Sequence, residues 1–176
     1  MTAPDSASRE LAIAFLYLDL THCTRCGDTR KALLSAIETA APALDALNTT
    51  ISLSETHITS SEQARAQQFS VSPTVRINGR DIQPERHQSP CQECGDLCNC
   101  SDGMDCRVWA WRGAMHTSPP VALFVDRILR AATEADAAAG TAVHKASSVD
   151  GDIETIDRFF KQAPEPAACC APGCCQ

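Results

Sequence analysis

The chain has 176 residues, 44% of them hydrophobic and 21% charged, with a formal net charge of −7. That is the profile of one soluble domain with tails. The acidic balance argues against a nucleic-acid partner, and no apolar run reaches the ~18–20 residues that span a bilayer, so no membrane partner is expected.

Leu11–Leu20 is short, apolar and rich in Leu, Ile and Phe, which predicts a buried strand after a disordered N-terminus over 1–10. Thr21-His22 turns the chain into Cys23-Thr24-Arg25-Cys26. From about Gly27 the residues Leu33, Leu34, Ile37, Ala41 and Leu44 recur at helical spacing, and Pro42 is expected to kink or divide that helix. Thr49–Ile58 alternates as a half-exposed edge strand. Thr59 with Glu62, or Ser60 with Gln63, forms a capping box that opens a helix to about Phe69. Val75 and Ile77 lead into Asn78-Gly79, a two-residue hairpin turn. Residues 83–107 form a cysteine-rich insertion with loop character over 83–106, and Val108–Trp111 resumes as strand before a turn at Arg112-Gly113. Pro119 or Pro120 starts a helix to about Ala132. Residues 133–150 resemble a linker, 151–162 a short amphipathic helix, and 163–176 a flexible tail.

Eleven cysteines are the unusual count, and they fall in three groups. The opening residues lack a basic start, Asp19 interrupts the apolar stretch, and no small-residue cleavage site follows, so a reducing cytoplasm is expected. In that compartment clustered cysteines are more often catalytic or metal-binding than structural.

Strand, Cys-x-x-Cys, helix, strand, helix, Pro and hairpin, in that order over about residues 11–131, resemble the thioredoxin and glutaredoxin superfamily. More narrowly, the chain is similar to a bacterial group of thioredoxin-like proteins of unestablished function with a Cys-rich insertion. The carrying segments are Leu16–Leu20 before Cys23 and Cys26, Ser72–Asp81, Cys91-Gln92-Glu93-Cys94, and Asp105–Trp109. The resemblance implies an α/β domain over 11–132, with a mixed sheet flanked by helices. It also implies a cis bond before Pro73, facing the Cys23–Cys26 pair.

A Cys-x-x-Cys pair at a strand-to-helix junction puts its first sulfur near unpaired N–H groups and the positive end of the helix dipole. Cys23 is then the attacking thiol, Arg25 adds positive charge, and Cys26 resolves the mixed disulfide. His22, in the turn, is expected to be an ordinary exposed histidine. Cys23, Cys26 and Pro73 are thus the candidate catalytic residues.

Cys91, Cys94, Cys98, Cys100 and Cys106 pack five thiols into sixteen residues. Four thiolates suit a zinc site; two disulfides with one thiol left over, a thiol relay to Cys23–Cys26, or unbonded thiols also satisfy the spacing. His87 and His116 flank this segment and read as surface histidines. Cys169-Cys170 and Cys174-Cys175 are two vicinal pairs around Ala171-Pro172-Gly173. Adjacent cysteines seldom bond comfortably to each other, but they are soft donors for arsenic, mercury, copper or zinc. Such tails resemble those of bacterial arsenic- and mercury-handling proteins.

Three functions follow from these residues. The first is a cytoplasmic, thioredoxin-like protein that binds or transfers a thiophilic metal or metalloid, in a metal-resistance role. The second is a thiol–disulfide oxidoreductase acting through Cys23 and Cys26. A non-catalytic module using the groove beside Pro73 is a third. The expected partners are a soft metal ion or a thiol-containing protein, and no organic cofactor is expected.

Overall fold

The computed structural model describes residues 8–100, 103–134 and 153–163. Its first half builds one mixed sheet. Strand β1 (Arg9–Tyr17) runs into helix α1 (Thr24–Ala46), then β2 (Thr49–His57), α2 (Ser61–Ala66), β3 (Thr74–Ile77) and β4 (Arg80–Asp81). The strand order is β2-β1-β3-β4. β2 lies parallel to β1, while β3 is antiparallel to β1 and β4 to β3. This is the α/β architecture, a mixed sheet flanked by helices, that the resemblance implies.

Local sequence explains most of these elements. On edge strand β2, Ser52 and Ser54 are exposed while Ile51 and Leu53 are half-buried. Asn78 and Gly79 both take positive φ, 50° and 77°, as a tight hairpin turn requires. The Ser60 hydroxyl accepts from the Gln63 N–H at 3.1 Å, and the Gln63 side chain accepts from the Thr59 N–H at 2.8 Å. The box is therefore offset by one residue on its return bond. Of the two expected effects of Pro42, division does not occur: α1 runs through it. Its position is exposed and only one turn of helix follows, so tertiary packing of Leu44 carries the helix through.

The segment expected to be loop is the main correction. Residues 87–116 form a second, antiparallel sheet of β5 (His87–Cys91), β6 (Met104–Trp111) and β7 (Ala114–His116), with helix α3 (Gln92–Cys98) between β5 and β6. Gly95 is required there: a Cβ on it would lie 2.8 Å from the Gly103 Cα, so α3 can cross the start of β6 only as a bare backbone. Helix α4 (Val121–Glu134) then returns against α1, and α5 (Glu154–Gln162) packs on α2, α3 and β6.

Two cores result. The first is hydrocarbon: Leu11, Ile13 and Phe15 meet Leu33, Ala36 and Leu44 of α1, Leu123, Phe124 and Ile128 of α4, and Trp109. The second lies around Leu16, Leu18, Ile58 and Phe69 and is rich in sulfur, with Cys23, Cys26, Cys91, Cys94, Cys98, Cys100 and Cys106. Ile156 and Phe159 of α5 cover it. Among the described residues no helix is long and apolar enough to cross a membrane.

Candidate metal centre

Cys23 is the N-cap of α1, and Cys91 is the N-cap of α3. Both Cys-x-x-Cys motifs therefore open helices, and the two helix starts face each other. Cys94 sits in the first turn of α3, and Cys106 comes from β6. The sulfurs of Cys23, Cys91, Cys94 and Cys106 all lie within 4.8 Å of one another, and all four residues are buried. The Cys94 thiol donates to the Cys23 sulfur at 3.3 Å.

Polar side chains fix this convergence. The Asp19 carboxylate accepts from the N–H of His22 and, at 3.2 Å, from that of Cys23. Glu93 accepts from the Thr24 N–H at 2.6 Å and from the Thr24 hydroxyl. Glu93 thus takes up the first N–H of α1, one of the groups that the sequence pattern assigned to the Cys23 thiolate. Arg25 does not turn toward its own motif either. Its guanidinium donates to the carbonyls of Ser89, Pro90 and Cys106, at 3.0, 2.6 and 3.3 Å, and so ties α1 to the β5–β6 ladder.

The charge on Cys23 is instead stabilised by its sulfur neighbours. Hydrogen bonds from Cys106 first, then Cys26, Cys91 and Cys94, hold its thiol far below the ordinary range. A contact with Cys106 also lowers Cys91, to about 7, against an upward push from Cys23. The donors respond in the opposite sense. Cys106 is pushed up by giving its proton to Cys23, and also by Cys91, Cys94 and burial. For Cys94, the Cys106 contact pulls downward but is outweighed by Cys23, Cys91 and burial.

Cys26 stands beside this group, not in it. Its thiol is pushed up by donation to Cys23 and by burial. On its other side the Ser72 hydroxyl lies 3.4 Å from the Cys26 sulfur, and the Ser72–Pro73 bond is cis. The Cys-x-x-Cys pair and Pro73 are therefore neighbours. Behind them, the Arg107 N–H donates to the Ser72 carbonyl at 2.8 Å. The Arg107 guanidinium, with no exposure at all, is paired with Asp81 at 2.5 Å and donates to the Gln83 carbonyl and the Thr74 hydroxyl. Burial pulls this arginine below its ordinary value, and Asp81 opposes that.

Four of the sequence-derived site residues converge as ligand candidates: Cys91, Cys94 and Cys106, joined by Cys23, whose motif can serve as a nucleophile or hold a soft metal. Cys98 and Cys100 do not join them; they are bonded to each other at the end of α3. Cys169, Cys170, Cys174 and Cys175 lie outside the described residues. His22 is 65% exposed at its side chain, and neither His87 nor His116 belongs to the sulfur group. The supporting roles of Asp19, Glu93 and Arg107 carried no signal in the sequence. The second Cys-x-x-Cys did carry one, because it too precedes a helical turn.

Residues 11–128 match the model of a family described as a domain of unknown function, DUF2703. The chain belongs to that family, and α5 lies beyond the matched span. No curated protein and no solved structure gives a significant match.

Proposed function

We propose that this protein binds a thiophilic metal ion through Cys23, Cys91, Cys94 and Cys106, on a thioredoxin-like scaffold in a reducing cytoplasm. The observation that carries the reading is the convergence of these four buried sulfurs within 4.8 Å. Tetrahedral zinc with Zn–S bonds near 2.3 Å needs sulfurs about 3.8 Å apart, which that envelope accommodates. Binding a cation would displace the thiol protons, and the ion's charge would offset the thiolates so formed. The donor count also selects among ions. Four sulfurs suit zinc, whereas trivalent arsenic or copper(I) would leave at least one unused.

The scaffold reading rests on the sheet order β2-β1-β3-β4 and on cis-Pro73 beside Cys23 and Cys26. Those same features support the second reading, a thiol–disulfide oxidoreductase, in which Cys26, 3.4 Å from the Ser72 hydroxyl, would resolve a mixed disulfide at Cys23. A role in metal resistance, with the vicinal tail cysteines capturing the ion, extends the first reading and rests on their soft donors alone.

Full-length protein purified without oxygen and loaded with zinc tests the proposal. One tightly held equivalent per chain is expected after chelation of loosely bound metal, and a cobalt-substituted sample should show tetrahedral tetrathiolate absorption. Cys94→Ser and Cys106→Ser should each lose that equivalent, while the Cys98→Ser/Cys100→Ser double variant keeps it. No bound zinc in the wild type, or retention in both single variants, would overturn the reading.

A further inference from the structure

Cys23 occupies two arrangements at once. It is one corner of the four-sulfur group, and it shares the first turn of α1 with Cys26, whose sulfur is outside that group. With Cys98 and Cys100 bonded to each other, Cys26 is the one described cysteine left free of both. We infer that Cys26 is the release thiol of the centre: oxidation by a hydroperoxide joins it to Cys23, removes one of the four ligands, and lets the ion go. This rests on the metal-binding reading above.

The surroundings of Cys26 fit that role. The Ser72 hydroxyl accepts from the Leu18 N–H at 3.2 Å, which leaves its own hydrogen to donate to the Cys26 sulfur 3.4 Å away. That contact holds the Cys26 sulfur in place beside Cys23. Proline at 73 has no N–H to compete for the same sulfur. A Cys-x-x-Cys pair on one helical turn bridges readily, whereas Cys91, Cys94 and Cys106 are each held by the ion.

Burial selects the oxidant. Cys23 is 1% exposed and Cys26 is not exposed at all, so a bulky disulfide is shut out and the oxidant must be as small as a peroxide. The Cys23 thiolate attacks one peroxide oxygen and becomes a sulfenic acid. The O–O bond breaks, and the departing hydroxide takes up a proton as water. Cys26 then attacks the sulfenic sulfur, the S–S bond forms, and the hydroxyl leaves as a second water with the Cys26 proton. Two electrons pass from the sulfurs to the peroxide. The ion is left with three thiolates.

The experiment uses zinc-loaded full-length protein, hydrogen peroxide, a chromophoric zinc chelator and disulfide mapping by mass spectrometry. Wild type is expected to release its zinc as a Cys23–Cys26 disulfide appears, and dithiothreitol should restore uptake. Oxidised glutathione at equal concentration should release it far more slowly. In Cys26→Ser, and in Cys26→Ala as a second variant, the Cys23–Cys26 disulfide is lost and peroxide-driven release should be measurably slower, as expected when the resolving thiol is lost. Release from both variants at the wild-type rate, or a new bond that excludes Cys26, would sink the inference while leaving the metal site intact. Failure of wild type to take up zinc would overturn both.

Discussion

The sulfurs of Cys23 and Cys94 are 3.3 Å apart although 71 positions separate them in the chain. That contact joins the start of α1 to the start of α3, and with Cys91 and Cys106 it turns two helix termini and one strand into a single site. If a cation completes the site, its removal must cost stability. An ion present at a hundred times its dissociation constant adds about 2.7 kcal/mol to unfolding. Thermal denaturation of zinc-loaded protein with and without a strong chelator should show a lower midpoint after stripping, restored by added zinc. Identical midpoints would count against a bound ion.

Arg25 touches no sulfur, yet it holds the carbonyl of Cys106 and those of Ser89 and Pro90. Groups that orient a ligand without binding the metal typically contribute 10–100-fold to affinity, and a loss of about that size is expected in Arg25→Ala. Arg25→Lys should recover little of it, because one ammonium cannot reproduce a planar fork reaching three carbonyls. Competition titrations against a chelator of known zinc affinity measure both.

Arg107 and Asp81 form an ion pair whose cationic partner is wholly buried behind Ser72. Removing the carboxylate in Asp81→Ala strands that charge and is expected to cost about 3–5 kcal/mol. Replacing both groups with apolar residues, Asp81→Leu with Arg107→Met, should recover much of the loss. Urea unfolding of the two variants separates these outcomes; equal destabilisation would mean that the hydrogen bonds to Gln83 and Thr74 matter more than the charge.

Helix α5 covers the sulfur core with Ile156 and Phe159, anchored by the Arg65–Asp157 ion pair and a bond from Arg158 to the Gly103 carbonyl. Phe159→Ala is expected to cost about 3–5 kcal/mol. It should also speed the reaction of the metal-free cluster with a small thiol reagent. Unchanged thiol reactivity would show that α5 does not shield the cysteines.

The sheet and its flanking helices were legible because their signals are local. The alternation in β2, the Asn78-Gly79 turn and the polar cap at Ser60 each act over a few neighbours. Residues 83–106 were not legible for the same reason. Pro90 lies within a strand, and α3 has seven residues, too few for a helical period to register. The candidate site was half legible. Clustered cysteines announced thiol chemistry, and the pairing of Cys23 with Cys26 and Pro73 followed from the resemblance. Cys23 joining Cys91, Cys94 and Cys106 depends on how α3 docks against α1, and no spacing rule reaches across 71 positions.

That long reach bears on how the chain is made. During synthesis, Cys23 emerges with Cys26 beside it well before Cys106 leaves the ribosome, so the nascent polypeptide meets a choice between an early local bridge and a late distant assembly. A reducing environment during translation would keep the first option closed until the second half of the domain arrives to claim its sulfur.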